Sequence, residues 1–296
     1  MSQTRSASVG RRYGLERVCA AWRLQRSSIY ARSVRANAPT RSCAKRGPKT
    51  ALDDATMLGH IRAVLADSPF TGEGYRKVWA RLRCGGVRTA KARVLRLMRM
   101  HGLLAPSRSR RIVTANSHDG SITTTTPNAM WGTDATSVLT GEGTATVFIA
   151  IDHCATDCVG IHAARHGTRY EALEPIRQGI REHFGAYERD SAANLKLRHD
   201  HGSQYMSDAF QDELRFLGIE SSPAFVRQPE GNGCAERFIR TLKEQLLWVE
   251  HFASVEELRL ALLAFKERYN KQWLVQRHCH RTPSAVRASY QEAIAA

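Results

Sequence analysis

The chain has 296 residues, a hydrophobic fraction of 42% and a formal net charge of +16. That length holds two or three domains with a sizeable core, and apolar runs such as Val147 to Ile151 are far too short to cross a membrane. With no secretory signal and seven unpatterned cysteines (Cys19, Cys43, Cys84, Cys154, Cys158, Cys234 and Cys279), the sequence predicts a cytoplasmic, nucleoid-associated protein with reduced thiols, not a disulfide scaffold.

The charge is uneven. Residues 1–125 carry 25 Lys and Arg against 6 Asp and Glu, whereas residues 126–296 carry 19 against 22. A basic arm on a near-neutral body is the electrostatic footprint of a nucleic-acid-binding protein. Residues 1–36 form a helix-turn-helix-like segment: Leu15, Val18, Cys19 and Trp22 share one side of a short helix, and Ser27 is placed to cap a second. The same pattern fits two packed helices without a DNA role. Residues 37–50, with Pro39, Gly47 and Pro48, read as a linker. Residues 51–104 predict a three-helix DNA-binding unit. Its first helix is Thr56 to Leu65. The second is Gly74 to Leu82, with Tyr75, Val78, Trp79 and Leu82 inward. The third is capped by Thr89 and stops at Gly102. In that third helix Val94, Leu95, Leu97 and Met98 face inward, and Lys91, Arg93, Arg96 and Arg99 face out as candidate contacts to DNA; a merely solvated basic face is the alternative. Residues 105–128, rich in Ser, Thr and Arg, form a connector.

Residues 129–250 change character. Strands are predicted at Met130 to Val138, Thr144 to Ile151, Cys158 to Ala163 and Leu195 to Arg198, with a fifth opening at Ile219-Glu220. Helices fall at Thr168 to Phe184, at Asp208 to Leu217 and after the loop 222–233, which should order on substrate. That order makes an α/β layer fold. In the last helix Ala235, Phe238, Ile239, Leu242, Leu246 and Val249 form the buried stripe, while Glu236, Arg240 and Lys243 share another face. Residues 251–296 form a helical extension. It is headed by the capping box Ser254-Val255-Glu256-Glu257 and buries Val255, Leu258, Leu262, Phe265 and Tyr269; a last short helix starts at Thr282-Pro283-Ser284.

Three carboxylates stand where chemistry is expected. Asp134 interrupts an otherwise apolar strand, where an acid is out of place unless something cationic meets it. Asp200 in RHDHGSQY sits at a strand's C-terminal end, the place where α/β sheets build their sites. Glu236 opens a helix. Converging oxygen ligands of this kind favour Mg²⁺ or Mn²⁺, and two such ions can clamp a phosphodiester during displacement. Asp152 ends the second strand and could approach the same point or simply start a turn. His199 and His201 flank Asp200, either as supporting or phosphate-contacting groups or as exposed neighbours. Cys154 and Cys158 with His153 and His162 are the nearest approach to a zinc cluster, but they lie across a predicted strand pair.

Asp134 in WGTDATS, Asp200 in DHGSQY and Glu236 in GNGCAERF, with 35 residues between the second and third acids and Lys243 seven after the glutamate, resemble the Asp-Asp-Glu triad of transposases and retroviral-type integrases. Gly74-Tyr75-Arg76, the run Arg93 to Met98, Gly102-Leu103, Tyr269-Asn270 and Thr282-Pro283 resemble IS3-type insertion-sequence transposases, as a downstream-frame product. The resemblance covers roughly residues 50–290. It implies an RNase H-like core with a mixed five-stranded sheet and flanking helices at 129–250, preceded by the small helical units. It implies a polynucleotidyl transferase that binds double-stranded element ends and target, with Asp134, Asp200 and Glu236 as catalytic residues and ligands of two Mg²⁺ or Mn²⁺ ions. Lys243, Arg240 and Arg237 are the further expected DNA contacts. Homo-oligomerisation on DNA and a small upstream helix-turn-helix partner are also implied. The alternatives are a non-catalytic, repressor-like remnant and a nuclease that does not join strands.

Overall fold

Residues 3–37, 52–106, 124–224 and 232–295 are described in the computed structural model of the chain. The chain divides into two units, Met1–Ala51 and Leu52–Ala296. Most of the expected linker, of the connector and of the loop 222–233 lies outside the described residues.

The first unit contains α1 (Gly14–Ala21) and α2 (Arg26–Asn37). Among its described residues only Cys19 is buried. Trp22, predicted on the same apolar side, is 62% exposed, because two short helices offer one narrow stripe and cannot enclose an indole. Helix α2 starts at Arg26, so Ser27 lies inside the first turn and not at the cap.

The second unit opens with α3 (Asp54–Asp67), α4 (Tyr75–Cys84) and α5 (Lys91–Met100). They close around Met57, Ile61, Val78, Leu82, Val94, Leu97 and Met98. Asp53 caps α3 by accepting from the Thr56 amide at 2.8 Å. Helix α5 is not capped by Thr89: Ala90 occupies the N-cap, and the Thr89 carbonyl accepts the Trp79 indole N–H at 2.8 Å.

The body is a mixed five-stranded sheet in the order β3-β2-β1-β4-β5. Its strands are β1 (Met130–Thr140), β2 (Gly143–Asp152), β3 (Cys158–Ala164), β4 (Lys196–His199) and β5 (Glu220–Pro223). The first three form an antiparallel meander, and β4 and β5 run parallel to β1. Helices α6 (Arg169–His183) and α7 (Asp208–Phe216) cover one face; α8 (Gly233–Leu242) and α9 (Val255–Gln272) cover the other, and α10 (Pro283–Ala295) follows α9. The alternation of β2 explains the layering. Val147, Ile149 and Ile151 join the core with α8 and α9, while Phe148 and Ala150 join the core with α6 and α7. A strand covered on both faces reads as a continuous apolar run. This is the RNase H-like arrangement.

Two details tie the tail to the body. The Asn270 side chain accepts from the Cys158 amide at 2.8 Å and donates to the Cys158 carbonyl at 2.9 Å, replacing sheet partners where the β2–β3 register shifts. Tyr269 packs edge-on against Phe238, with ring centroids 4.8 Å apart. The Ser254 box forms as the sequence predicts, with the Ser254 hydroxyl accepting from the Glu257 amide and Glu257 accepting from the Ala253 amide. Past Leu242, α8 widens into a π-helical turn, Lys243–Leu247. The wider turn breaks the 3.6-residue phase. Leu246 and Leu247 stay buried, but Val249, predicted on the stripe, is 55% exposed. In the same turn Gln245 exchanges hydrogen bonds with Thr71, fastening the helical bundle to the body. No helix among the described residues is long and apolar enough to cross a membrane.

Candidate active site

Strand register brings two of the acids together. Met130 stands opposite Lys196, Trp131 opposite Leu197 and Gly132 opposite Arg198. Carried two residues further, the same register sets Asp134 level with Asp200, which follows the last residue of β4. Paired strands lie ~4.8 Å apart, so residues distant in sequence become neighbours. The third acid arrives by a different route. The side chain of Asn232, buried at the start of α8, donates to the Thr133 carbonyl at 2.8 Å. It does not cap the helix; it pins the helix start to β1. Gly132 makes the space, since a Cβ there would come within 2.6 Å of Asn232 Oδ1 and 2.7 Å of His153 Nε2. Glu236 then falls in the first turn of α8, where the helix dipole favours a carboxylate.

The electrostatics follow from this convergence. The Asp134 carboxyl is pushed up from 3.8 to about 6, first by burial and then by the charges of Asp200 and Glu236, against the Ala135 amide bond and the Lys243 ammonium. Four groups from β1, the end of β4, α8 and the π-helical turn therefore share one field. Asp200 and Glu236 are exposed, and Asp134 is half-buried. The acids share an electrostatic neighbourhood but not a closed cage: among the described residues, no group of three or more His, Cys, Asp or Glu side chains stands ready to hold an ion. The donor chemistry nevertheless fits a hard divalent cation. A half-buried acid loaded by two more carboxylates is the arrangement that such a cation relieves.

The supporting residues are specific. Asp200 Oδ1 accepts from the Gly202 amide at 2.8 Å, and a Cβ on Gly202 would crowd both Asp200 and Gln204. His199 is fully buried. Its Nδ1 lies 2.6 Å from the Asp200 carbonyl, which can only accept, so Nδ1 carries the proton and Nε2 accepts from the Ser221 hydroxyl at 2.9 Å. Burial lowers the pKa of the ring and favours its neutral form. His199 braces the Asp200 backbone and is closed to phosphate; His201 is exposed. Behind them Tyr205 is fully buried, its hydroxyl pushed up by burial and by the nearby Asp134 and Asp200.

Asp152 belongs elsewhere. It starts a turn, accepting from the Cys154 and Ala155 amides, each at 2.8 Å, and its charge meets Arg287. The His/Cys run is dispersed: His162 pairs with Glu171 at 2.6 Å, and the Cys158 thiol donates to the Gly160 carbonyl. The predicted outer face of α5 is partly internal. Arg93 and Arg96 both grip Asp54, at 2.8 and 2.7 Å, and hold α5 to α3, whereas Lys91 and Arg99 are exposed. Arg237 and Arg240 are exposed on α8 beside Glu236. Asn232 escaped the sequence reading: an Asn between two glycines before a helix signals a cap, and its actual partner, a strand carbonyl 99 positions away, is visible only in the fold.

An integrase core domain model matches residues 217–283, and an HTH-like domain model matches residues 51–111. The latter falls on α3–α5, not on the first unit. The chain is 28% identical over 201 residues to the transposase InsD of insertion element IS2A/D/F/H/I/K from Escherichia coli, covering 66% of each protein. The match thus spans slightly less than two thirds of the relative's length. Among solved structures, the chain is similar to one titled as the simian T-cell lymphotropic virus intasome in complex with PP2A regulatory subunit B56 gamma (17% identity, 79% of this chain and 74% of that one, TM-score 0.48). It is also similar to the HTLV-2 integrase catalytic core domain in complex with magnesium (17% identity, 55% and 98%, TM-score 0.42).

Proposed function

From its homology to the transposases of insertion elements, we propose that this chain catalyses divalent-metal-dependent DNA strand cleavage and strand transfer at the ends of a mobile element. Asp134, Asp200 and Glu236 are the catalytic acids and metal ligands, with Mg²⁺ or Mn²⁺ as the ion and two ions as the working number. The observation that carries the reading is the convergence of Asp134, Asp200 and Glu236 in one field, answered within the chain by a single amide and the Lys243 ammonium. Three carboxylates against one ammonium leave an excess of negative charge that suits a cation. When bound, the ions activate the attacking oxygen and stabilise the leaving oxygen of the phosphodiester.

The chain's own groups supply alignment. Asn232 fixes the depth of Glu236 against β1. The Gly202 amide and His199 fix Asp200. Lys243 opposes the acidic cluster from the next turns of the same helix, and with Arg240 and Arg237 it is positioned to draw in a phosphate backbone. Lys91, Arg93, Arg96 and Arg99 remain proposed contacts, with Arg93 and Arg96 required to leave Asp54 first. Residues 1–36, 51–104, 129–250 and 251–296 are the proposed domains. Double-stranded DNA, further copies of this chain and a small upstream helix-turn-helix protein are the proposed partners.

The test is incubation with the flanking element's ends, Mg²⁺ and a plasmid target. Joined products that vanish on chelation, and in Asp134→Ala, Asp200→Ala and Glu236→Ala alike, are the expected result. Cleavage surviving in any one variant removes that acid from the site. Hydrolysis of precut ends without joining favours the nuclease alternative, and DNA binding with neither step favours the repressor-like remnant.

A further inference from the structure

A second positive site lies away from the triad, between the helical bundle and the tail. One wall is α4, whose Arg76, Trp79 and Arg83 recur at helical spacing on the face opposite the buried Val78 and Leu82. The other wall is the turn Gln276–Arg281. Together with Lys91 these walls enclose a cleft of about 750 Å³.

The cations in this cleft are held but not neutralised. Among the described residues, no carboxylate lines it. Arg83 lies 5.1 Å and Lys91 4.4 Å from the centre of the Trp79 ring, a contact that fixes a cation in place without cancelling its charge. Arg76 is steadied by the Gln276 amide oxygen at 3.2 Å. The opposite wall is strained: Cys279 and His280 both adopt left-handed backbone, with φ of 55° and 64°. The strain is sustained by the short bridge between Val275 and Arg281. It delivers His280 to Trp79, with ring centroids 6.0 Å apart. His280 Nδ1 is shielded from solvent yet has no hydrogen-bond partner among the described residues. The ring's basicity is depressed by burial and then by Lys91, Lys77 and Arg76, so the cleft carries positive potential in search of an anion.

We propose that this cleft clasps the phosphodiester backbone of a DNA strand, with Arg76, Arg83 and Lys91 on its phosphates and His280 donating from the opposite wall. The spacing favours a polymer over a small anion. Arg76 and Arg83 are seven residues apart, about 10 Å along the helix, further than the oxygens of one phosphate group can span. The cleft belongs partly to the segment matched by the HTH-like model, yet it is formed by α4 and the tail and not by the outer face of α5. The identity of the ligand rests on the proposed DNA-processing function; the existence of the site does not.

The full chain tests this directly. Cys84 and Cys279 are exposed and line the cleft, so N-ethylmaleimide labelling read by mass spectrometry reports its occupancy without any mutation. Duplex DNA should slow alkylation of both several-fold. Rates unchanged by saturating DNA overturn the proposal, as does equal protection by inorganic phosphate alone. In a binding titration against salt, the double variant Arg83→Gln/Lys91→Gln, both at exposed positions, should flatten the log–log slope by about two. Arg215→Gln, on α7, should flatten it by less than one. An unchanged slope in the double variant, or an equal loss per charge in Arg215→Gln, sinks the cleft. Wild-type joining alongside a failed cleft leaves the enzyme reading intact. Loss of binding in the double variant, with no joining by wild type, does the reverse.

Discussion

Two acidic clusters stand on either side of β1, one at the end of β2 and one at the end of β4, and they are opposites. At one, Asp152 and Asp157 are buried, and Arg287 answers both: it is bidentate to Asp157 at 2.6 and 3.0 Å and 3.4 Å from Asp152, while its third nitrogen donates to Asn128. Backbone amides of Asn128, Cys154 and Ala155 supply the remaining bonds to Asp152. At the other, Asp134 meets two further carboxylates, one amide and one ammonium. Both clusters raise the pKa of an aspartate through burial and a like charge. What separates a structural acid from a reserved one is therefore not the shift but the accounting of partners. The first cluster is complete within the chain and locks α10 to the β2–β3 turn. The second is left open.

Removing the acids of the open cluster should have the largest effect. Alanine at Asp134, Asp200 or Glu236 should take strand joining to background, while DNA binding in a gel-shift assay persists. The closed cluster should respond in stability instead. Arg287→Met strands two buried carboxylates and should cost roughly 3–5 kcal/mol in urea unfolding; a cost under 1 kcal/mol would mean that the two clusters do not differ as described. Asp134→Asn should act in the opposite direction. A carboxyl whose folded value, about 6, exceeds its ordinary 3.8 destabilises the fold once ionised. The penalty is absent below pH 4, grows between 4 and 6 and is complete above 6. At pH 8 without divalent ions the substitution should stabilise the chain by up to about 3 kcal/mol, and the gain should vanish in acid. A gain independent of pH would point to packing. Asn232→Ala should leave DNA affinity in place and lower joining by roughly 10–100-fold, the usual range for a residue that orients a metal ligand. The smallest effect is Ser254→Ala, about 1 kcal/mol from loss of the α9 cap, with joining unaltered.

Much of this was legible beforehand, and the legible parts share a cause. The α9 stripe and its capping box, the strand spanning Asp134 and the α/β order depend on local periodicity and on bonds between residues a few positions apart. Expectations failed where a distant segment decided the outcome. Trp22 sits on a pair of short helices whose single apolar stripe is too narrow to enclose it. Val249 loses its phase to the π-helical turn that also lets Gln245 reach Thr71. Arg93 and Arg96, outward by helical phase, are drawn to Asp54 some forty positions earlier.

For the candidate site the division is similar. Sequence alone singled out Asp134, Asp200, Glu236 and Lys243, because an acid in an apolar strand, an acid at a strand end and charges seven apart on one helix are recognisable without coordinates. Only the tertiary structure decided that these groups share a field, that Asn232 and Gly132 set the depth of the helix, and that Asp152 is answered by Arg287. The physical reason is that register and burial are properties of pairs of segments. Which charges remain uncompensated is therefore known only once every segment has found its partner.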